Sequence, residues 1–395
     1  FHRGERQWDK SAFGQASFNY RVNPFYSLKF NAKFAWDYTH FKRPFEDKEI
    51  PIDNRYYQEE AYASIANLFT LTDWWSIDAS FDVQWNKLNA DLYEFPYPYR
   101  WTELAVIATN FSFSHFDVQA SLLGNFVQDR LRSKTYPGSV PAKKELSPPI
   151  FFSYQPFLQR DFRLDGFFKR AFRMPTFNDL YYTEVGYAYL NPEYTTQYNI
   201  GSSFSKQKIN DWIDAFSVRG DAYYNRISNK IVAYPAGGSF RWTMRNLGKV
   251  EVLGAEISAN AAFHIQNVGL KALLQYTYQR ARDITNTNDS EYGDQIPYTP
   301  KHSGSCSVNA GYSGWDLNYS FIYTGERYNE SENIAENYEP AWYTNDISLS
   351  KVFRIKNVGL KITGEINNIF NQAYEVIHNY PMPGRNFRVT LKVNI

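Results

Sequence analysis

The amino-acid sequence predicts an all-β protein, a transmembrane antiparallel β-barrel of about seventeen strands. Three observations support this prediction: apolar and polar residues alternate along many segments, the segments are long, and the connections between them are alternately short and long. The closing segment 386–395 shows the alternation, because Phe387, Val389 and Leu391 are separated by polar residues. Such a strand has one apolar and one polar face.

The same alternation recurs in segments 26–38, 77–85, 270–279 and 315–323. Alternation alone also occurs in soluble sheets that bury one face. Many of these segments reach roughly ten residues or more, whereas strands of globular sheets are usually ~5–6 residues long and tilted membrane-spanning strands need ~9–11. Segment length therefore predicts that the apolar face meets lipid, and that Arg388 and Lys392 line a wet interior.

The connections form two classes that alternate along the chain. Short turns on one rim and long loops on the other are typical of outer-membrane barrels, in which the short turns are periplasmic and the long loops extracellular. The tip 235–238 is the exception among the long connections. The short turns are expected at 22–25, 114–115, 158–160, 209–211, 266–267, 313 and 355–357, and the long loops at 39–56, 89–101, 127–147, 171–194, 282–301, 326–342 and 371–385.

Composition excludes several other classes of protein. The 42 basic and 41 acidic residues of the 395-residue chain leave a net charge of +1, whereas a nucleic-acid-binding surface would be strongly basic. Cys306 is the single cysteine, so no internal disulfide can form. No apolar run approaches the ~18 residues of a transmembrane helix. Nucleophile-elbow, phosphate-loop and paired-cysteine motifs are absent from the sequence, so an enzyme is not expected.

Five segments resemble the barrel motifs of TonB-dependent outer-membrane receptors. They are RAFRMPTFNDLYY (170–182), the shortened LNPEY (190–194), RNLGKVEVLGAEISA (245–259), GEINNIFNQAYE (364–375) and the closing PGRNFRVTLKVNI. The likeness covers about the last 250 residues in the family's order. The resemblance implies architectural roles for the matching residues, with Arg170 and Arg173 paired to interior carboxylates or to a plug. These residues are Arg170, Phe172, Arg173, Pro175, Asn178, Asn246, Gly254, Glu256, Asn368, Gly384 and Arg385.

The resemblance implies a barrel of about 22 strands with an N-terminal plug and a TonB box. Residues 1–395 are therefore expected to be one barrel domain that lacks the plug and the first strands. The implied activity is energised import. Its expected partners are TonB with its inner-membrane complex, the plug, outer-membrane lipid and, in some related transporters, a surface lipoprotein cap. Ile395 departs from the aromatic residue with which the family usually ends.

The likeness within the family is greatest to vitamin B12 receptors, through HNYPMPGRNF and GKVEVLGAE. Cobalamin or another corrinoid is thus the expected cargo. The alternatives are a siderophore or haem receptor and a passive, porin-like barrel. Loop aromatic and basic residues could contact a large amphipathic ligand, although an interface-girdle or loop-packing role is the favoured interpretation for any single one. The candidates are Tyr182, Tyr187, Tyr189, Trp242, Arg245, Tyr298, Tyr328 and Tyr380.

The loop segment Asp283–Asp294 (DITNTNDSEYGD) is rich in oxygen-bearing side chains. Calcium prefers several such ligands, but the spacing does not match an EF-hand loop. A solvated loop is the favoured interpretation, and a calcium site in an extracellular loop is the alternative. No other cofactor is expected, and the six histidines show no zinc-like spacing.

Overall fold

The computed structural model describes residues 4–44, 51–92, 95–132, 142–157, 161–181, 189–235, 242–355 and 358–394. Most of them lie in β-strands, and the helical segments are the short α1 (Phe177–Tyr181) and a 3-10 turn (Ala335–Asn337). None of the helices in these ranges is long and apolar enough to cross a membrane. The strands are β1 (Arg6–Asn23), β2 (Tyr26–Arg43), β3 (Ile52–Thr72), β4 (Trp75–Ala90), β5 (Pro98–Ser112), β6 (Phe116–Leu131), β7 (Lys143–Ser147), β8 (Ile150–Tyr154), β9 (Phe162–Arg173), β10 (Glu193–Gln207), β11 (Ile213–Pro235), β12 (Trp242–Ile265), β13 (Val268–Asp283), β14 (His302–Tyr312), β15 (Trp315–Thr324), β16 (Arg327–Tyr328), β17 (Tyr338–Glu339), β18 (Trp342–Ile355), β19 (Val358–Asn367), β20 (Glu375–Ile377), β21 (Tyr380–Pro381) and β22 (Asn386–Asn394).

The described strands form an 18-stranded antiparallel sheet and two small hairpins, β16–β17 and β20–β21. This confirms the predicted all-β antiparallel fold. The chain divides into two compact units: unit 1 comprises Phe1–Phe152, Lys169–Pro192 and Arg241–Met244, and unit 2 comprises Ser153–Phe168, Glu193–Phe240 and Arg245–Ile395. In unit 1, β1 to β7 pair in chain order. In unit 2, β10 pairs with β11, and β12, β13, β14, β15, β18, β19 and β22 pair in succession.

The short turns are fixed by their own residues. The Asn23 Oδ1 atom accepts hydrogen bonds from the backbone N–H groups two and three residues later, at 2.8 and 2.9 Å. Asn210 does the same at 3.1 and 2.8 Å. Ser313 and Gly314 both have positive φ angles, 46° and 77°, as in the type I′ turn of two-residue hairpins, whose geometry matches the twist of the strands. Local turn chemistry therefore sets the register of these hairpins.

The apolar face of the sheet is exposed in both units. On β2 in unit 1, Phe30 and Phe34 are 42% and 52% exposed, whereas Ala35 on the opposite face is 9% exposed. In unit 2, Ile257 and Leu274 are 47% and 51% exposed. Burying apolar area is favourable by ~25 cal/mol per Å², so a soluble fold would turn this face inward. The outward face meets hydrocarbon, as the sequence predicts.

Aromatic rings in unit 1 gather near both ends of the strands. Beside the short turns, the rings of Tyr26 and Phe69 lie 5.1 Å apart; towards the long loops, Tyr38 stacks with Trp36 at 6.3 Å and contacts Tyr57 at 5.1 Å. Trp36 follows Tyr26 by ten residues on β2. Ten residues span roughly 33 Å, or about 25 Å along the normal of a membrane once the strand is tilted by ~40°. That is the height of the apolar band of outer-membrane barrels, about 25 Å.

The opposite face of the sheet carries ion pairs and hydrogen bonds. In unit 1, the Lys33 Nζ atom lies 2.9 Å from Glu60, which also accepts bonds from two neighbouring amides. In unit 2, the Arg219 guanidinium lies 2.7 Å from both Asp165 and Asp221. Isolated charges would be costly in hydrocarbon, but a barrel interior tolerates them because water reaches it.

The two faces of β13 allow a direct test of this orientation. Leu274 lies on the apolar face opposite Ala259 and Cys306, and the next residue, Gln275, lies on the polar face. We expect Leu274→Arg to lower the free energy of unfolding by about 2–4 kcal/mol, because an arginine near the bilayer midplane loses its hydration. Gln275→Arg is the matched control, with a loss below ~1 kcal/mol. Denaturant unfolding of the complete receptor in phospholipid bilayers measures both values, and equal losses would contradict the assignment of faces.

Candidate functional site

Three long connections of unit 2, residues 284–301, 325–341 and 368–385, are bonded to one another, and we call them the loop cluster. The Tyr298 N–H donates to the Tyr328 carbonyl at 2.8 Å. The Asn333 side-chain oxygen accepts from the Gln295 N–H at 2.8 Å, and the backbone N–H of Asn333 donates to Asp294 at 2.9 Å. The first connection is also anchored in a small apolar core, because Ile296 packs in a cluster with residues of β11, β12 and β13.

Arg327 connects the second and third connections of the loop cluster. It is 3% exposed, and its guanidinium donates to the carbonyls of Glu375, Val376 and Pro340 at 2.6, 3.1 and 3.2 Å. Burial lowers the pKa of Arg327, and the charge of Glu339 opposes this effect. The guanidinium has several donors in a fixed planar arrangement, so one buried side chain ties two loops together.

Glu339, Glu375 and His378 form a group of metal-ligating side chains within the loop cluster. Their potential ligand atoms all lie within 4.8 Å of one another. The His378 Nδ1 atom lies 2.6 Å from Glu339 Oε1. The three residues border a pocket of about 400 Å³, together with Trp342 and Tyr374, whose rings are 4.7 Å apart. This arrangement could hold a cation, and sequence reasoning missed it because the residues come from two connections.

The loop cluster brings together four of the residues that the sequence singled out. Tyr298, Tyr328 and Tyr380 lie in its three connections, and the Arg245 Nη2 atom donates to Ser331 Oγ at 2.6 Å. Tyr298 is largely packed, and burial raises the pKa of its hydroxyl. Tyr380 is 37% exposed. A ligand-binding role for these four residues stays a prediction.

The remaining candidates lie elsewhere. Tyr189 belongs to unit 1, and its side chain is 80% exposed. Trp242 is the first residue of β12. Tyr182 and Tyr187 lie outside the described residues. Of the candidates that the structure describes, Arg245, Tyr298, Tyr328 and Tyr380 therefore lie in unit 2, whereas Tyr189 and Trp242 lie in unit 1.

The motif 170–181 is held by a buried ion pair in unit 1. Arg100 donates to both carboxylate oxygens of Asp129 at 2.6 Å and to the Pro175 carbonyl at 2.7 Å. The same guanidinium lies 5.1 Å from the centre of the Phe177 ring, a distance at which a cation is attracted to the ring face. Arg100 and Asp129 thus hold the motif in place, although the sequence analysis singled out neither residue.

The helical turn α1 is closed by its own residues. Thr176 and Asp179 cap it reciprocally: the Thr176 N–H donates to Asp179 at 2.8 Å, and the Asp179 N–H donates to the Thr176 hydroxyl at 3.1 Å. Arg173 donates to the same carboxylate at 3.0 Å. Asp179 is therefore a buried carboxylate that Arg173 contacts. Arg170 borders a different pocket, which β5, β6 and β7 also line. Phe172 is partly buried, and Asn178 is exposed.

The motif residues of β12 make contacts with neighbouring strands of unit 2. An added Cβ at Gly254 would collide with the Tyr223 ring, whose hydroxyl donates to Gln279 at 3.0 Å. Glu256 lies beside the same tyrosine. The Asn246 side chain donates to the Asn229 carbonyl at 2.7 Å. Gly254 is therefore a glycine because the tyrosine ring occupies the space of a side chain.

The closing motifs brace the third connection of the loop cluster at its base. Asn368 is 4% exposed, and its side chain exchanges two hydrogen bonds with the backbone of Gln372, at 2.8 and 2.9 Å. The Arg385 N–H donates to Asn371 Oδ1 at 2.8 Å. An added Cβ at Gly384 would come within 2.6 Å of that oxygen. These contacts fix both ends of residues 368–385.

The acidic segment Asp283–Asp294 is largely engaged in local hydrogen bonds. The Asp283 carboxylate accepts from the Thr285 N–H at 2.7 Å, and Asp289 accepts from the Asn286 amide at 2.8 Å. Burial, together with neighbouring acidic groups, raises the pKa of Glu291, and Arg245 opposes the rise. Calcium binding by this segment stays a prediction.

Comparison with known proteins identifies the family and the fold. A family described as TonB dependent receptor-like, beta-barrel matches residues 1–369. The vitamin B12 transporter BtuB of Photobacterium profundum is 29% identical over 223 residues, which cover 56% of this chain and 33% of that protein. The chain thus spans about a third of that curated relative.

Solved structures similar to this chain include the copper transporter OprC and the unliganded ferric citrate transporter FecA. The match to OprC has a TM-score of 0.75 at 14% identity, and it covers 99% of this chain and 66% of the OprC chain. The match to FecA has a TM-score of 0.74 at 11% identity, and it covers 97% of this chain and 61% of the FecA chain. At these identities, the likeness shows the fold alone.

Arg327 offers a test of the loop cluster. Arg327→Met removes the donors to three loop carbonyls, and each hydrogen bond to a charged group contributes about 1.5–3 kcal/mol. We expect amide hydrogen exchange in residues 371–385 to accelerate roughly ten- to hundredfold through local opening. Arg354→Met, at an exposed position of β18, is the control and should leave exchange unchanged. Unaltered exchange in Arg327→Met would show that the loops are held by other contacts.

Proposed function

Because the chain belongs to the TonB dependent receptor-like, beta-barrel family, we propose that it forms the barrel of an outer-membrane transporter for a scarce, large nutrient. The leading candidate for this nutrient is vitamin B12 or another corrinoid. The family and the similar proteins named above are receptors and transporters rather than enzymes. The observation that carries the proposal is the family match over residues 1–369.

Two features support a corrinoid over other cargoes. The curated relative that is 29% identical is a vitamin B12 transporter, whereas the ferric citrate and copper transporters share only the fold. The loop cluster also contains three of the candidate tyrosines, and Arg245 bonds to it through Ser331. Large, amphipathic ligands suit such side chains, because an aromatic ring supplies contact area and its hydroxyl supplies one polar atom. A siderophore or haem complex is the second candidate, since the same chemistry would serve it.

In this proposal the loop cluster faces the extracellular side, and the short turns face the periplasm. A cargo bound at the loops would pass through the barrel when TonB and its inner-membrane complex act on a plug domain. Outer-membrane lipid surrounds the exposed apolar face, and a surface lipoprotein could cap the loops. The loop cluster suits capture of a cargo because its connections are already bonded to one another. Preorganised loops lose less conformational entropy on binding.

Ligand binding by the complete receptor, purified in detergent with its plug, is the first test. Cyanocobalamin is titrated by calorimetry, with a ferric siderophore and haem as competitors. We expect saturable binding of cyanocobalamin that neither competitor displaces. Binding of the siderophore or haem alone would replace the corrinoid as cargo. Uptake that persists in cells without TonB would favour the passive, porin-like alternative.

A pair of tyrosine variants locates the site. Tyr380→Ala removes an exposed ring from the loop cluster, and we expect it to weaken cyanocobalamin binding at least about tenfold, which corresponds to ~1.4 kcal/mol. Tyr312→Ala removes an exposed ring next to the short turn between β14 and β15. This control should leave the dissociation constant unchanged. Equal effects of both substitutions would argue against binding at the loop cluster.

A further inference from the structure

We propose that Glu339, Glu375 and His378 bind one divalent first-row transition-metal ion, of the type of Zn²⁺, which joins two connections of the loop cluster. The site does not depend on which cargo the receptor carries. Glu339 belongs to the connection 325–341, and the other two residues belong to the connection 368–385. A bound ion would therefore cross-link loops that are distant in sequence.

Local structure brings the three side chains together. Glu339 lies on β17, which pairs with β16. Glu375 opens the β20–β21 hairpin, and His378 lies in the two-residue turn of that hairpin, followed by Asn379 with a φ of 63°. The tight turn directs Glu375 and His378 to one side. Arg327, on β16, fixes the hairpin against β17 by donating to the Glu375 carbonyl at 2.6 Å.

The distances between the ligand atoms suit a small cation. A tetrahedral ion with bonds of about 2.0–2.2 Å needs its ligand atoms roughly 3.3–3.6 Å apart. The separation of His378 Nδ1 and Glu339 Oε1 is 2.6 Å, and the largest separation in the group is within 4.8 Å. The required spacing lies between these values, so side-chain shifts of roughly an ångström would complete the site.

The types of ligand select the class of metal. Calcium and magnesium prefer oxygen ligands alone, whereas imidazole suits zinc, copper, iron and nickel. Carboxylate oxygen and imidazole nitrogen are both zinc ligands, and catalytic zinc sites likewise have three protein ligands and leave a fourth position for water. Here the fourth position would open into the pocket of about 400 Å³ beside the three residues.

Neighbouring groups hold the three ligands in place. The Asn329 amide donates to Glu339 Oε1 at 2.9 Å, and the Asn379 N–H donates to Glu375 Oε2 at 2.6 Å. The backbone of His378 bonds to the Tyr298 hydroxyl. Such outer contacts orient metal ligands and raise affinity. Both carboxylates of this group are therefore held by a further hydrogen bond, and Tyr298 holds the backbone of His378.

The charges of the site also favour a divalent cation. The Glu339 side chain is only 6% exposed, and a buried carboxylate needs a compensating charge. Arg327 supplies one positive charge for two carboxylates, so the group retains a net negative charge when His378 is neutral. A divalent ion would compensate this net negative charge. Its bonds to Glu339 and His378 would replace the hydrogen bond between these two side chains.

Metal binding by the complete receptor tests the proposal directly. The protein is purified in detergent with a chelator, the chelator is removed, and Zn²⁺ alone is titrated by calorimetry, without any organic cargo. We expect one Zn²⁺ per chain, confirmed by elemental analysis, and no competition from excess Ca²⁺. Absence of stoichiometric binding, or equal binding of Ca²⁺, would overturn the proposal.

Substitutions locate the ion. His378→Ala and Glu375→Gln should each weaken Zn²⁺ binding by more than about tenfold, the lower limit for loss of an outer-shell contact. Glu375→Gln nearly preserves side-chain shape, so it reports on ligation even if His378→Ala disturbs the turn. His302→Ala is the control, because His302 lies on β14 and bonds to Tyr276. Unchanged affinity in both site variants, or an equal loss in the control, would refute the assignment.

Hydrogen exchange supplies an independent readout. Zn²⁺ should slow amide exchange in residues 371–385 of the wild-type receptor and have no effect in Glu375→Gln. Cyanocobalamin binding is measured separately, so failure of the corrinoid proposal would leave this result intact, and failure of the metal site would leave the transport proposal intact. Exchange that is insensitive to Zn²⁺ in the wild-type receptor would exclude a cross-link between the two connections.

Discussion

The backbone hydrogen bonds between neighbouring strands are the interaction on which the rest of the structure depends. Hydrocarbon offers no partners for N–H and C=O groups, so a chain in a membrane must satisfy them within its own sheet. Once the ladders are formed, each strand has one face for lipid and one for water. The exposed Phe34 and Leu274 and the paired Lys33 and Arg219 are consequences of this single requirement.

The loops solve a different problem, because they have no continuous ladder. Polar side chains replace it: Arg327 binds three carbonyls, Asn368 closes the base of the third connection, and Asn333 links the first two. Each of these side chains reaches backbone groups that would otherwise lack partners, which is costly when they are buried. The loop cluster is thus an ordered structure built largely from side chain to backbone hydrogen bonds.

The strands could be predicted from the sequence because their signal is local. A period of two, the strand lengths and the turn residues are all visible within ten or twenty neighbouring residues, and the order of short and long connections follows from them. The contacts that organise the site are long-range. Arg100 binds the Pro175 carbonyl across 75 positions, and His378 meets Glu339 only because two small hairpins are pinned together by Arg327. Neither contact produces a periodic pattern in the sequence. The histidines are therefore scattered along the chain without the spacing of a metal site.

The difference between local sequence signals and long-range contacts also applies to the candidate tyrosines. Composition and loop position select Tyr298 and Tyr380 equally, but their surroundings differ. Tyr298 is packed, its pKa is raised by burial, and its hydroxyl meets the backbone beside a potential metal ligand. Tyr380 presents more than a third of its surface on the hairpin next to that ligand. A partly buried ring that supports the backbone holds a loop in shape, whereas an exposed ring on a neighbouring connection of the loop cluster can cover a ligand. Because Tyr298 bonds to the backbone of His378 and Tyr380 follows His378 by two residues, the first tyrosine helps to set where the second one points. We therefore expect different tyrosines of the loop cluster to support the backbone and to contact the ligand.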